Sequence, residues 1–230
     1  MRKLSRRHKE NLDKVKQPIY SNLAEAIAIL KETATAKFIE SVELHANLNI
    51  DPKYADQQLR TTVTLPNGVG KPVTIAVLTT EENFKEAELA SADIIGDDDL
   101  IEQITQGKID FNLLIATPNM MPKLAKLGRV LGPKGLMPSP KSGTVTSTLT
   151  ETLDEFKKGK FEYKADKTGV VHVSFGNMSF TNIQLIENLT ALYQSIEKNR
   201  PSGVKGKYFK NMYISTTMGP SIQLDLDIFS

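Results

Sequence analysis

Hydrophobic residues near the N-terminus recur first at helical and then at strand spacing. Apolar residues between Leu23 and Leu30 fall on one helix face, and Ser21 before them is a capping residue, so a helix is predicted over residues 22–33. In residues 38–48 the period changes to two, which places Val42, Leu44, Ala46 and Leu48 on one side and Glu43, His45 and Asn47 on the other. This alternation predicts a half-buried strand with one polar face.

The C-terminal third has the same one-sided pattern. A hairpin is predicted from strands 161–164 and 170–175 around the turn 166–169, followed by a helix over 182–198 and strands over 208–216 and 222–228. A further strand over 60–65 ends at the turn signal Pro66-Asn67-Gly68. His45 and His172 both fall on strands, so the sheet can bring them close together.

The middle of the chain has a different pattern. Residues 73–78 and 113–116 are short continuous apolar runs, which are typical of strands covered on both faces, and helices are predicted over 81–92 and 97–105. This alternation indicates an open α/β sheet like that of a small doubly wound domain. The simplest organisation is a domain of residues 68–160 inserted into a discontinuous domain of residues 1–67 and 161–230, with Gly68, Gly70 and Gly159 at the two hinge crossings.

Charge is unevenly distributed although the net charge is only +2. Residues 1–67 carry 11 Lys or Arg against 8 Asp or Glu, residues 161–230 carry 7 against 6, and residues 68–160 carry 11 against 13. The basic N-terminal arm is equally consistent with nucleic-acid binding and with a solvated helix. The absence of cysteine fits a reducing compartment, and no secretory signal, transit peptide or membrane span is predicted.

Catalytic and cofactor chemistry has little support in the sequence. No glycine-rich loop follows either apolar strand of the middle segment, and the three histidines have no metal-ligand spacing. The acidic run from Asp97 to Asp99 is explained by a capped helix N-terminus. We therefore expect no enzyme activity, cofactor, metal or small-molecule substrate, with a nucleotide-dependent enzyme as the weaker alternative.

Two polar turns carry groups that suit RNA. The turn 166–169 offers a carboxylate, an ammonium and a hydroxyl, and the turn 216–220 offers two hydroxyls beside a glycine. Such groups can bond phosphates and ribose 2′-hydroxyls. The alternative is that both are ordinary hairpin turns.

Several motifs together resemble one family, the large-subunit ribosomal protein L-one family, which forms the mobile stalk beside the tRNA exit site. The motifs span the chain in order: Ala34-Thr-Ala-Lys-Phe38, Val42-Glu-Leu-His45, Lys126-Leu-Gly-Arg129, Leu131-Gly-Pro-Lys-Gly-Leu136, Asp166-Lys-Thr-Gly169 and Thr216-Thr-Met-Gly-Pro-Ser221. The resemblance implies a two-layer α+β sandwich built from both termini and an inserted Rossmann-like three-layer α/β domain. Ile39 departs from the family pattern, in which an acidic residue often follows the phenylalanine.

The resemblance also implies the RNA-binding residues. These are Lys37, Phe38, Glu40, Glu43, Asp166, Lys167, Thr168, Gly169, His172, Thr216, Thr217, Met218 and Gly219. We expect Thr217 and the amides around Gly219 to bond 2′-hydroxyls and Met218 to pack against ribose. Lys3, Arg6 and Arg7, together with Lys37 and Lys167, are expected to contact phosphates.

The expected partners follow from the same resemblance. They are large-subunit rRNA, the exit-site tRNA whose release the stalk assists, and the chain's own messenger RNA if it also acts as a translational repressor. A free messenger-binding regulator is the alternative function. A plastid ribosome is the expected location, with a bacterial cytoplasm as the alternative.

Overall fold

The computed structural model describes residues 4–204 and 206–229, a mixed α/β structure with several sheets. These residues divide into two compact units, one made of the segments up to Gly70 and from Phe161 onward, the other of Lys71–Lys160. Within the described segments, no helix combines the length and apolar composition that a bilayer span needs.

The first unit is built around a four-stranded antiparallel sheet. Its strand order is β7-β1-β8-β9, with bounds Ser41–Leu48 for β1, Val170–Asn177 for β7, Phe209–Thr216 for β8 and Ile222–Leu224 for β9. Its helices are α1 (Arg6–Lys14), α2 (Leu23–Thr33) and α8 (Asn182–Lys198). Inward residues of α2 and α8 share one core with the inward face of the sheet.

The predicted alternation along β1 is confirmed. Val42, Leu44, Ala46 and Leu48 are fully buried, whereas Glu43, His45 and Asn47 on the other side are partly exposed. The strand begins at Ser41, so Phe38 precedes it, contrary to the prediction. The helix over 182–198 is also confirmed, and the Thr181 hydroxyl with Gln184 forms the capping box that fixes its start.

Two other predictions at element ends are wrong. The side chain that caps α2 is Asn22, which accepts from the amide of Ala24, while the Ser21 hydroxyl donates to Asp225. The strand predicted over 222–228 ends at Leu224 and gives way to a 3-10 turn over Leu226–Phe229, in which Phe229 stacks on Tyr193.

The prediction that strands 161–164 and 170–175 pair with each other as a hairpin is also wrong. Strand β6 (Lys160–Lys164) pairs with β2 (Arg60–Thr64) in a separate two-stranded sheet, and only the isolated bridge between Ala165 and Val171 joins its end to β7. The turn itself is present. The two strands diverge because β7 pairs along its whole length with β1.

The second unit is a three-stranded parallel sheet with helices on both faces. Its strand order is β4-β3-β5, with bounds Ile75–Leu78 for β3, Ile94–Gly96 for β4 and Leu113–Ala116 for β5. Helices α4 (Asp98–Thr105), α5 (Met121–Ala125) and α6 (Gly128–Lys134) share one core with one face, and α3 (Phe84–Leu89) and α7 (Leu149–Lys157) share another with the opposite face. All four residues of β3 are fully buried, as its continuous apolar run predicts.

Some helical predictions in this unit need correction. The helix predicted over 81–92 is reduced to α3 between a 3-10 turn and a bend at Ser91, whose φ is +56°, and Leu89 is 84% exposed rather than inward. Asp97 makes no side-chain capping bond, and Lys123 contacts it and Asp98 instead. Strand β4 was not predicted because its three residues are too short a run to show a period.

The first crossing between the units is tied to the first unit by two buried asparagines. Asn188 donates to the carbonyl oxygens of Gly68 (2.9 Å) and Phe175 (2.8 Å), and Asn177 donates to that of Gly70 (3.1 Å). The crossing therefore comes after Gly70, whereas the turn signal had placed the boundary before Gly68. The backbone φ is positive at Gly68, Gly70 and Gly159.

Candidate nucleic-acid interface

The candidate interface starts from the sheet face of the first unit that carries no helix. Its outward side chains come from three neighbouring strands: Glu43, His45 and Asn47 on β1, His172 and Ser174 on β7, and Asn211, Tyr213 and Ser215 on β8. Every one of these is polar and partly or fully exposed, and the same side also carries the partly exposed Val170 and Gln223. Because α2 and α8 cover only the opposite face, no described helix of the first unit covers this surface.

A pair of histidines lies at the centre of this open face. His45 and His172 are direct cross-strand partners, and their Nδ1 atoms are 2.8 Å apart, so one ring must donate while the other accepts. His45 Nε2 is also 3.1 Å from Ser215 Oγ and 3.9 Å from a Glu43 oxygen. Burial and, second, the neighbouring His172 lower the pKa of His45, and Glu43 offsets part of this effect.

Glu40 braces the loop at one end of the face. Its side chain is only 1% exposed, and its two oxygens accept from the amides of Ala36 (3.1 Å) and Met218 (2.9 Å). Glu40 was expected to contact RNA, but both oxygens are already bonded beneath the loop. Its position indicates a positioning residue that joins segment 34–40 to the turn 216–219.

The Thr216–Gly219 turn is already hydrogen-bonded within the chain. The Thr217 hydroxyl accepts from the Ser41 amide (3.1 Å), the Thr217 amide donates to the Ser41 carbonyl (3.2 Å), and the Gly219 amide donates to Thr216 (3.3 Å). The amides of Met218 and Gly219 are therefore not free to bond RNA, which corrects the expectation. A hydroxyl oxygen has two lone pairs, so Thr217, which is exposed, keeps one for a partner.

Thr216 and Gly219 shape this turn instead of presenting groups to solvent. Thr216 is 3% exposed, and among the described residues its hydroxyl has no hydrogen-bond partner. A Cβ at Gly219 would lie 2.4 Å from that hydroxyl oxygen, closer than real Cβ atoms approach, so only glycine fits here. Both were expected to contact RNA, and the structure places them in the support of the turn.

Exposed apolar side chains surround the same turn. Phe38 is 54%, Ile39 67% and Met218 48% exposed. Phe38 and Ile39 directly precede Glu40 in the chain, and the Met218 amide donates to the Glu40 carboxylate. Lys37, immediately before Phe38, is also exposed. Apolar groups beside a cation, at the edge of a polar sheet face, are suited to stacking on bases or riboses while the cation contacts a phosphate.

The opposite end of the face is formed by the Asp166–Gly169 turn. Asp166 Oδ1 accepts from the amides of Val170 (2.8 Å) and Thr168 (2.9 Å), and these bonds, that of Val170 first, lower the pKa of Asp166. Gly169 has a φ of +82°, is buried, and its carbonyl accepts from the Leu48 amide (3.0 Å). Gly169 was expected to contact RNA but is required by the turn, which presents Lys167 and Thr168 to solvent.

The basic N-terminal helix is attached beside the first of these loops. Asn11, which is 2% exposed, donates to the Thr33 carbonyl (2.8 Å) and the Thr35 hydroxyl (3.1 Å), just ahead of Lys37. Arg6 and Arg7 are exposed on this helix. Lys3, the third predicted phosphate contact, lies outside the described residues.

Sequence reasoning missed part of the face. His45, Tyr213 and Ser215 were not among the predicted RNA residues although they lie at its centre. The period-two pattern of strand 208–216 contained this signal, since it places Tyr213 and Ser215 on the same side as Asn211. The cross-strand register that brings them beside His45 was not available from the sequence.

The profile of the Ribosomal protein L1p/L10e family matches residues 30–220. The chain belongs to this family. The matched range contains both loops and the strands β1, β7 and β8 of the open face, whereas helix α1 with Arg6 and Arg7 precedes it and β9 follows it.

The family's relatives resemble the chain over its full length. It is 77% identical to "Large ribosomal subunit protein uL1c" of Phaeodactylum tricornutum and 78% identical to that of Trieres chinensis, with all of each chain covered. It is 57% identical to "Large ribosomal subunit protein uL1" of Prochlorococcus marinus strain MIT 9515, over 99% of this chain and 96% of the relative. Membership in this family of ribosomal proteins confirms the resemblance and the prediction that the chain is not an enzyme.

Proposed function

We propose that the chain is a structural protein of the large ribosomal subunit that binds large-subunit rRNA through the open face of its first unit. The observation that carries the proposal is a helix-free polar face bounded at both ends by loops with exposed cations. Only segments from the two ends of the chain build it. The family match and the printed names of the relatives support the ribosomal role.

The contacts divide by chemistry in this proposal. Lys37 and Lys167, at opposite ends of the face, bind phosphates, as do Arg6 and Arg7 on the adjoining helix. Phe38 and Met218 pack against bases or riboses. Carboxylates of Glu43 and Asp166, the His172 ring and the Thr168 hydroxyl bond ribose 2′-hydroxyls, which distinguish RNA from DNA. The remaining lone pair of Thr217 accepts one further such bond.

The organisation of the units supports a mechanical role. We propose a discontinuous two-layer sandwich that is fixed on the rRNA and a Rossmann-like three-layer domain inserted into it. The backbone freedom of Gly70 and Gly159 suits two crossings that bend, and the asparagine bonds to Gly68 and Gly70 support a bend that lies after Gly70. The stalk so formed would assist release of deacylated tRNA from the exit site.

A binding assay with matched variants tests the interface. Phe38→Ala removes an exposed ring, so affinity for a stalk rRNA fragment should fall about 5- to 150-fold, equivalent to about 1–3 kcal/mol for one stacked base. Ile183→Ala is the control, because Ile183 is 68% exposed on helix α8, in the layer that covers the other face. Equal affinities of the two variants would contradict the assignment.

Charge variants test the phosphate contacts separately. Lys37→Gln and Lys167→Gln should each reduce the slope of log affinity against log salt by about one unit, without a change in sequence preference. Lys198→Gln, an exposed cation on helix α8, should leave the slope unchanged. If the wild-type chain does not bind the fragment at all, the proposed function is wrong.

Two alternatives concern role and location. The same face suits a messenger RNA that mimics the rRNA site, so the chain could act as a repressor of its own messenger or as a free regulator. Co-sedimentation with large subunits decides between ribosomal protein and free regulator. We propose a plastid location, which the relatives named uL1c support. A bacterial cytoplasm is the alternative, because the chain is also 57% identical to a Prochlorococcus protein.

A further inference from the structure

The second unit has a strongly segregated charge although its acids slightly outnumber its bases. Residues 111–150 contain five Lys or Arg and no Asp or Glu, whereas residues 71–110 contain three Lys and ten Asp or Glu. A forty-residue stretch of this kind produces a local positive field that the net charge of the unit conceals.

All five of these cations are exposed, and four of them make no ion pair among the described residues. Lys123 is paired with Asp98 (2.7 Å) and Asp97 (3.4 Å) at the start of α4, and both carboxylates belong to the acidic stretch 71–110. The others are exposed and make no ion pair among the described residues; we call them the basic surface, defined as Lys126, Arg129, Lys134 and Lys141. They lie along α5, α6 and the following turn, a stretch whose leucines Leu124, Leu127 and Leu131 pack inward on one core.

Helix α6 within this stretch contains glycines that packing does not explain. A Cβ at Gly128 or Gly132 would meet nothing within 4 Å, and neither residue has a positive φ. Gly128 is the first residue of the helix, and Gly132 precedes Pro133, where a side chain disfavours the helical region, so the local backbone accounts for glycine at position 132. Gly132 lies three residues after Arg129, on the same exposed helix side. Bare backbone beside a cation permits a ligand's close approach.

The chemistry of the basic surface favours a phosphate backbone over other anionic partners. Among the described residues, no large hydrophobic side chain between residues 111 and 150 is exposed. A membrane-binding helix needs an apolar face, and a protein interface needs apolar or aromatic anchors at its centre. Cations with bare backbone and no apolar anchor match the sequence-independent contacts that proteins make with nucleic-acid backbones.

We propose that the basic surface is a second RNA-binding site, which holds the sugar-phosphate backbone of RNA independently of the open face of the first unit. The site extends the proposed function, since it assumes that the chain works on RNA. It requires no base readout, so it accepts a backbone from rRNA or from deacylated tRNA.

A fourfold variant of the full chain tests this site. Lys126→Gln, Arg129→Gln, Lys134→Gln and Lys141→Gln are combined, and the matched control combines Lys71→Gln, Lys85→Gln, Lys108→Gln and Lys158→Gln, four exposed cations of the same unit. Binding is measured against salt for a stalk rRNA fragment, for deacylated tRNA, and for tRNA added to the complex of chain and fragment. The three arms identify the RNA that supplies the backbone.

The basic-surface variant should lower affinity at least tenfold in one or more arms and flatten the salt slope there by about two to four units, while the control changes little. Equal losses in the two variants, or none in either, would overturn the proposal. If the wild-type chain does not bind the rRNA fragment, the proposed function is overturned instead. In that case, tRNA binding that depends on the basic surface would still support the second site.

Gly132→Ala provides an independent test. A side chain before Pro133 disfavours the helical region, so the midpoint of urea unfolding should fall slightly while the chain stays folded, and a Cβ facing the ligand should weaken RNA binding several-fold. A folded variant that binds RNA as tightly as wild type would exclude close backbone approach at α6. That result, together with an unchanged fourfold variant, would remove the site.

Discussion

Replacement of Glu40 should loosen the Thr216–Gly219 turn without unfolding the sheet. The carboxylate is 1% exposed and accepts from two amides at 2.9 and 3.1 Å. Each buried donor left unpaired costs about 1–3 kcal/mol, so Glu40→Ala should destabilise the closed loop by about 2–6 kcal/mol. Glu40→Gln keeps one acceptor oxygen and replaces the other with a carboxamide NH2, which cannot accept. One backbone amide therefore loses its acceptor, at a cost of about 1–3 kcal/mol.

Amide hydrogen exchange measures this opening directly. In Glu40→Gln, the amide of Met218 or of Ala36 should exchange about 5 to 150 times faster, since each 1.4 kcal/mol corresponds to about a factor of ten. Amides in the centre of β1 should be unaffected. Glu43→Gln is the matched control for exchange alone, because this partly exposed carboxylate accepts no amide hydrogen bond among the described residues but belongs to the proposed interface. RNA affinity should fall with loop opening.

Two results would refute the reasoning about Glu40. If both amides exchange at the wild-type rate in Glu40→Gln, the carboxylate does not hold the turn. If exchange accelerates and RNA affinity stays unchanged, the turn is not part of the interface, and the positioning role assigned to Glu40 has no function in binding.

Three further predictions concern the stability of the first unit. Because the folded-state pKa of His45 is lowered, the unfolded chain takes up a proton at a higher pH than the folded chain does. The urea concentration at the unfolding midpoint should therefore fall as the pH is lowered from about 7.5 to about 5.5. An equal fall in His45→Gln would contradict this. Gly169→Ala, with a Cβ 3.1 Å from a backbone oxygen, should lose about 1–3 kcal/mol more than Gly206→Ala, which has similar φ and open space; equal losses would exclude crowding. Asn188→Ala should lose about 2–4 kcal/mol in denaturant unfolding, and the exposed Asn199→Ala less than about 1; similar losses would show that the buried bonds contribute little.

The sequence located most elements whose burial follows from their own period. Helix α8 was predicted at its observed bounds because one apolar stripe runs through it and Pro201 follows its end. The β1 faces were predicted correctly for the same reason. Short elements such as β4, and ends such as that of β9 at Leu224, were missed, because a run of three residues does not establish a period.

Pairing between distant strands was beyond the reach of local patterns. Residues 160–164 and 170–177 flank a tight turn, which locally favours a hairpin, yet they belong to different sheets because β1 and β2 offer longer-range partners. The same limitation applies to the candidate interface. Glu40 is a plausible RNA ligand in the sequence, and only its burial beneath Met218 shows that its oxygens are occupied.

The sequence by itself determined the family, the helix and strand faces, and the motifs that become the two loops of the candidate interface. These properties are local, since they follow from residue type and spacing along a short stretch of chain. The tertiary structure decided which predicted residues present groups to solvent and which support the turns, and it placed His45 beside His172 from 127 positions away. Hydrogen-bond saturation and burial depend on every segment that packs against a residue, so they exist only once the chain has folded.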